Sequence, residues 1–182
     1  MKQFIQAALL VAAVILTTGL NAQTKPAFLK YELNGKLINL SGDDDLGSYF
    51  TQEGDDVDVR KHTEYHFYTD ILNPSEFILS ITLNTAPKTK PVVGRMPYTG
   101  LILPIDGNLP SAYVSIDRHL NKDDMMFYGS TLLNEGHFEI TKVEGNWIEG
   151  TFDLVITNDY DETDQLTITN GTFRLKIGNE MN

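Results

Sequence analysis

The chain has 182 residues, of which 25 are acidic and 14 are basic, so its formal net charge at pH 7 is −11. A surface this negative repels nucleic acid and anionic lipid headgroups, and we exclude both as partners. The chain contains no cysteine, so it has neither a disulfide framework nor a thiol that could carry a lipid anchor.

Residues 1–22 have the order of a secretory signal peptide. Lys2 precedes an apolar run at 7–16, polar residues follow, and the small residue Ala22 ends the segment. The apolar run is shorter than the roughly 20 residues that a membrane-spanning helix needs. We therefore expect export to the periplasm or the medium, cleavage after Ala22, and no membrane insertion of the mature protein.

The mature chain, residues 23–182, has the size of one domain. Removal of the signal peptide leaves 160 residues with a net charge of −12. A chain of this length buries about 70% of its unfolded surface and can form one core without cross-links. We interpret its acidity as solubility outside the cell, in preference to a specific site for a cationic partner.

Apolar and polar residues alternate along most of the mature chain, as in strands with one buried face. Helix signals are weak by comparison. The sequence predicts strands at 28–33, 36–40, 63–69, 76–83, 112–118, 125–133, 137–143, 147–156 and 165–177. The predicted fold class is all-β, either an antiparallel β-sandwich or a lipocalin-like β-barrel of about 8–10 strands.

Two segments interrupt this pattern, and we predict long loops for both. Residues 41–60 are acidic and contain glycine, and residues 84–110 contain five of the seven prolines. Long loops in compact domains are often functional or mobile.

Two Asn-Gly dipeptides predict local irregularities in the strands. Asn34-Gly35 indicates a tight hairpin turn or a bulge. In the last strand, the apolar residues before Asn170-Gly171 have one parity and those after it have the other. A β-bulge at this dipeptide would let both sets face the core, and we assign a positive φ to Gly171.

The two ends of the mature domain resemble small secreted proteins of unknown function from Gram-negative bacteria. The matching stretches are FLKYELNGKLINL and GHFEITKVEGNWIEGTFDLVITNDYDETDQLTITNGTFRLKI. In those proteins a strand ending in Asn-Gly-Lys starts the domain, and Gly-Thr-Phe followed by Thr-Asn-Gly-x-Phe ends it. The resemblance covers about a third of the mature chain. It implies an all-β, lipocalin-like or sandwich domain and no catalytic residue, while residues 41–134 match no such pattern.

An acidic segment between two apolar runs is a candidate cation site. Asp159, Asp161 and Asp164 have a spacing of oxygen ligands that suits calcium. The segment lacks the glycine and the glutamate of the helix-loop-helix calcium motif, and the residues around it are strand formers. We interpret it as a solvated hairpin tip between strands ending at Ile156 and beginning at Gln165, with calcium as the alternative. The acidic groups in 43–45 and 53–58 have the same interpretation.

His62 and His66 lie in a run of strand formers. On a strand, residues four apart are separated by about 13 Å, too far for one zinc ion, so we predict a polar strand face. The sequence identifies no partner for His119 or His137. There is no Gly-x-Ser-x-Gly elbow and no glycine-rich phosphate loop, so we assign no catalytic residue and no cofactor.

The aromatic residues allow two functional interpretations. They could line a cavity for a small apolar ligand or stack on a sugar, although such residues more often form the core. They are Trp147, Tyr65, Phe67, Tyr68, Tyr113, Phe127, Tyr128, Phe138 and Phe152.

We hold three hypotheses of function. The first is an exported domain that binds a small apolar ligand inside a barrel, or a glycan or protein through its end loops. The second is a structural or envelope-associated protein without a ligand pocket, and the third is a hydrolase with a carboxylate pair. An interior filled by large side chains would favour the second hypothesis over an internal ligand site.

Overall fold

A computed structural model of the protein describes residues 25–42, 46–53, 61–69, 77–100, 109–121, 124–132 and 135–181. Within these ranges the chain forms strands and no helix, so the predicted all-β class is confirmed. The predicted signal peptide and the acidic residues 43–45 and 55–58 lie outside the described ranges.

All nine predicted strands are present, and three more accompany them. The strands are β1 (Phe28–Leu33), β2 (Lys36–Ser41), β3 (Leu46–Glu53), β4 (His62–Thr69), β5 (Phe77–Thr85), β6 (Gly94–Met96), β7 (Ser111–Asn121), β8 (Asp124–Gly129), β9 (Gly136–Glu144), β10 (Trp147–Asn158), β11 (Asp161–Lys176) and β12 (Asn179–Glu180).

The prediction that residues 41–60 form one long loop is wrong, because β3 lies within them. β3 pairs antiparallel with β4 from Leu46 to Glu53. Leu46 and Phe50 pack against the core, but Ser48 lies between them on the same face, so the apolar alternation is too weak to recognise. The predicted loop at 84–110 likewise contains the short strand β6.

The strands form one mixed sheet in the order β12-β3-β4-β5-β7-β8-β10-β11-β1-β2, with β9 paired to β10 and β6 paired to β9. The pairing of β12 with β3 is parallel, and the other strand pairs are antiparallel. β10 contacts β8 through Thr157 and Asn158 and contacts β9 along its preceding residues. The sheet therefore divides at β10 into two halves, with β12-β3-β4-β5-β7-β8 on one side and β11, β1, β2, β9 and β6 on the other.

The sheet folds back on itself. Six strand spacings separate β3 from β11, which would be nearly 30 Å in a flat sheet at about 4.8 Å per strand. Yet the Ser48 hydroxyl donates a hydrogen bond of 2.5 Å to the carbonyl of Lys176 at the end of β11. This curvature is consistent with a β-sandwich or an open β-barrel.

Large side chains fill the centre of the core between the two halves. The rings of Phe138 and Phe173 lie 5.3 Å apart, and Phe152 lies 6.3 Å from each of them. Each of these three side chains is at most 1% exposed. Among the aromatic residues considered above, Tyr65, Phe67, Tyr128, Phe138 and Phe152 belong to the core, whereas Trp147, Tyr68, Tyr113 and Phe127 are half-buried outside it.

Both Asn-Gly dipeptides have the predicted structural role, with one correction. Asn34 and Gly35 have φ of 49° and 79°, the values of a type I′ turn between β1 and β2. The register of β10 with β11 shifts beside Asn170, which confirms the bulge. The positive φ belongs to Asn170, at 54°, and not to Gly171 as predicted. Asparagine tolerates this conformation because its short polar side chain is among the least disfavoured there.

Gly171 is required by a close approach between strands. A β-carbon at this position would overlap the carbonyl oxygen and the ring of Phe152 on β10. The bulge thus uses both residues of the dipeptide, Asn170 for its φ and Gly171 for its missing side chain.

Candidate functional site

Alternation along β4, β5 and β7 produces two faces of different composition. Tyr65, Leu79 and Val114 point into the core. The residues of opposite parity form a second face, which we call the outer face. This face is not fully solvated, because His62 and Glu64 are 1% and 4% exposed.

A groove of about 410 Å³ lies on the outer face. This volume is within the range of about 300–1,000 Å³ that is typical of small-molecule sites. Residues from β3, β4, β5, β7 and β8 line it, among them Tyr49, His66, Tyr68, Thr82, Asp117 and His119. We call it the outer-face groove.

A row of hydrogen-bonded side chains on β4 continues away from the outer-face groove, which it joins at His66. Glu64 Oε1 lies 2.8 Å from His62 Nε2, and Glu64 Oε2 lies 3.0 Å from His66 Nε2. Burial alone would raise the pKa of Glu64, but the hydrogen bonds from His66 and His62 hold it below its usual value. The two histidines thus bind one carboxylate from opposite sides, and their predicted position on a strand is confirmed.

The ring of His66 is held in place by three contacts. Besides Glu64, its Nδ1 lies 3.2 Å from the hydroxyl of Thr82, and its ring stacks on Tyr49 with 4.5 Å between centroids. Because these contacts already fix the His66 side chain, it would lose no further conformational entropy when a ligand binds in the groove.

Two tyrosines of the outer face lie across glycines on neighbouring strands. A β-carbon on Gly47 would overlap the ring of Tyr68, and one on Gly129 would lie 2.8 Å from the hydroxyl of Tyr113. The glycines therefore let these rings extend over the sheet surface. Tyr68 forms part of the groove wall as a result.

The outer-face groove also contains Asp117 and His119 on β7. Within the described ranges, neither side chain makes a hydrogen bond or an ion pair, and both are half-buried. Burial raises the pKa of Asp117 above its usual value; His119 opposes this shift, and Asp159 adds to it. Asp117 is thus a partly desolvated carboxylate that has no hydrogen bond from any described residue and for which the attraction of His119 does not offset burial.

The acidic segment forms a hairpin, as predicted, but a tighter one. Asp159 and Tyr160 form the turn, so the strands continue to Asn158 and Asp161 instead of ending at Ile156 and beginning again at Gln165.

The carboxylates of this hairpin have separate partners. Asp164 accepts hydrogen bonds from the Tyr128 hydroxyl, at 2.7 Å, and from Asn158 Nδ2, at 3.0 Å. Asp161 accepts from the amide and hydroxyl of Thr163. These bonds lower the pKa of both aspartates. Among described residues, no group of three or more metal-ligating side chains is positioned to hold a metal ion, and calcium at Asp159, Asp161 and Asp164 stays the alternative to a hairpin tip without a cation.

His137 and Trp147 have structural partners that the sequence did not reveal. His137 Nδ1 lies 2.5 Å from Asp153 Oδ2, and its Nε2 lies 3.0 Å from the Thr151 hydroxyl. The guanidinium of Arg174 lies 4.5 Å from the ring centroid of Trp147. His137 and Trp147 therefore already have partners within the protein, and we do not assign a binding site to either of them.

Glu64 and Asp117 do not form the carboxylate pair of a hydrolase. Glu64 faces Asn84 on β5, whereas Asp117 faces Ile78 on the same strand. Six residues of a strand correspond to about 20 Å. The carboxylates of glycosidases lie within about 10 Å of each other.

Comparison of the chain with protein-family models, curated proteins and solved structures gives no match. In the described part of the chain, no helix has the length and apolar character needed to cross a bilayer.

Proposed function

We propose that the protein is an exported β-domain that binds a saccharide in the outer-face groove. The observation that carries this proposal is the combination of tyrosine rings and polar groups, some of them without a hydrogen bond from any described residue, in one groove of about 410 Å³. Export is part of the proposal and rests on the signal-like residues 1–22. So is membership of the small secreted, lipocalin-like proteins that the two ends of the domain resemble.

The lining of the groove combines apolar surface with a few polar groups, and this combination suits a sugar. A sugar ring has an apolar face and a rim of hydroxyl groups. Tyr49 and Tyr68 offer ring surfaces for the apolar face. Ser80, Asp117 and His119 offer acceptors and donors for the hydroxyl groups.

A ligand inside the fold, as in a lipocalin-like barrel, has less support. The centre of the core is occupied by Phe138, Phe152 and Phe173, whose rings pack against one another. We therefore assign the ligand to the outer surface of the sheet.

The filled core also favours a second candidate function, a structural or envelope-associated protein without a ligand. The two candidates differ in one measurement. We expect a panel of neutral and charged oligosaccharides, titrated into the labelled protein, to shift amide resonances of β4, β5 and β7 for at least one member. An absence of shifts for every member would reject saccharide binding and leave the structural candidate.

A pair of variants tests the location of the site. Asp117→Asn changes a groove residue, and Glu162→Gln makes the same chemical change at an exposed position of the β10–β11 hairpin. We expect the first to alter the affinity and the second to leave it unchanged. Equal effects of both variants would contradict the assignment of the ligand to the groove.

A further inference from the structure

The charge of Asp117 in the outer-face groove restricts the class of saccharide that can bind there. Asp117 is half-buried and has no hydrogen bond or ion pair within the described ranges. A carboxylate removed from water is unfavourable unless a partner compensates for the lost hydration. A ligand that brings a positive charge to this position would supply that compensation.

Among the described lining residues, His119 attracts the Asp117 carboxylate, but this attraction is weaker than the effect of burial. No lysine or arginine is among the lining residues. Asp159 lies close enough to Asp117 to oppose its ionisation. The whole chain carries a net charge of −11, which attracts cations and repels anions during encounter.

The tyrosines at the opposite wall also favour a cationic ligand. A positive nitrogen over the face of a tyrosine ring is stabilised by the ring's quadrupole. Tyr68 and Ser80 are paired across β4 and β5, and Ser80 is paired with Ser115, two residues before Asp117 on β7. The backbone positions of Tyr68 and Asp117 are therefore about 12 Å apart, a distance that a ligand of several sugar rings spans.

We infer that the ligand is an amino-bearing oligosaccharide whose ammonium group binds Asp117 and whose rings contact Tyr68 and Tyr49. This inference rests on the proposed function and specifies its ligand class.

Three trisaccharides of equal length and linkage provide the test. They are the β-1,4-linked trimers of glucosamine, of N-acetylglucosamine and of glucose, which differ in the group on carbon 2. We expect calorimetric titration to show that the glucosamine trimer binds the wild-type protein about tenfold or more tightly than the other two. We expect Asp117→Asn to lose this preference and Glu162→Gln to keep it.

The salt dependence separates a specific contact from general attraction to an acidic protein. An ion pair in a half-buried groove is screened less than attraction between exposed charges. At about 0.5 M salt the preference for the glucosamine trimer should therefore persist in part. Complete loss of the preference at high salt would overturn the assignment of the ammonium group to Asp117.

The remaining outcomes distinguish this inference from the proposed function. Equal binding of the three trimers, or tighter binding of a neutral one, would overturn the inference and leave saccharide binding in place. Binding of none of the three would overturn the inference; the wider oligosaccharide panel then decides whether saccharide binding itself fails. A preference that survives in Asp117→Asn would also overturn it. The wild-type comparison decides the question even if Asp117→Asn does not fold.

Discussion

On the outer face of β4, Glu64 Oε2 lies 3.0 Å from His66 Nε2. The other carboxylate oxygen of Glu64 lies 2.8 Å from His62 Nε2. Removal of one member of such a buried group leaves the other polar side chains buried without a hydrogen-bond partner. An ion pair on the surface does not have this cost, because water replaces the lost partner. The row is therefore important for stability as well as for the position of His66 in the groove.

We expect Glu64→Gln to lower the free energy of unfolding by about 2–3 kcal/mol, because a carboxamide replaces the charged acceptor of two hydrogen bonds. Urea denaturation at neutral pH measures this change. The control is Glu162→Gln, which removes an exposed carboxylate and should change the stability by less than about 0.5 kcal/mol.

Glu64 should also make stability depend on pH. The pKa of Glu64 in the folded protein lies below its ordinary value of 4.5. Its contribution to stability is therefore fully present above the unfolded pKa and is lost as the pH falls through the folded pKa. Denaturation midpoints measured on the acid side of 4.5 should fall more steeply for the wild type than for Glu64→Gln. Parallel curves for the two proteins would contradict this assignment.

Asp117 should have the opposite effect on stability. The pKa of Asp117 is raised above its ordinary value of 3.8, so its ionised form destabilises the fold at neutral pH. The stability associated with the raised pKa is present below 3.8 and is lost as the pH rises through the folded pKa. Asp117→Asn should therefore raise the free energy of unfolding by about 0.5–1 kcal/mol at pH 7 and give no gain in acid. Asp124→Asn, at an exposed position of β8, is the control.

The bulge in β11 predicts different costs for two glycine substitutions. Gly171→Ala would force a β-carbon against the backbone of Phe152 and should cost about 2–3 kcal/mol. Gly145→Ala meets no atom within 4 Å but has φ of 62°, so its cost should be about 1 kcal/mol. A cost at Gly171 no larger than that at Gly145 would mean that the close approach to Phe152 does not require glycine at position 171. Asn170→Gly should be neutral within about 0.5 kcal/mol.

We expect substitutions of the aspartates in the β10–β11 hairpin to have different effects on stability. Asp164→Asn should lower the denaturation midpoint because it weakens the bonds from Tyr128 and Asn158, whereas Asp159→Asn should not. Calcium at millimolar concentration should leave the wild-type midpoint unchanged. A rise with calcium that is absent from the Asp159→Asn, Asp161→Asn, Asp164→Asn triple variant would instead establish a calcium site.

Export is tested directly. If residues 1–22 are a signal peptide, N-terminal sequencing of protein recovered from the periplasm or the medium should begin at Gln23 or close to it. An intact Met1 on that protein would contradict the prediction.

Features that depend only on neighbouring residues can be predicted from the amino-acid sequence. Side chains on a strand alternate between faces, so nine strands are recognisable without knowledge of their partners. The turn at Asn34-Gly35, the bulge at Asn170-Gly171 and the acidic hairpin follow from residues that favour such backbone shapes. Neighbouring residues do not show that Asn170 takes the positive φ while Gly171 is needed for its missing side chain. Glycine is required at position 171 by the backbone of Phe152, a residue 19 positions earlier.

The position of the groove, by contrast, depends on how distant segments of the chain pair in the folded protein. Its residues Tyr49, His66, Thr82 and Asp117 come from four strands, and one of these strands, β3, has too weak an alternation to be recognised. The alternating polar residues of β4, β5 and β7 indicate that an outer face exists. They do not indicate which residues of that face are neighbours. That depends on strand order and register, which are set by hydrogen bonds between distant segments and by the packing of the opposite face against the core.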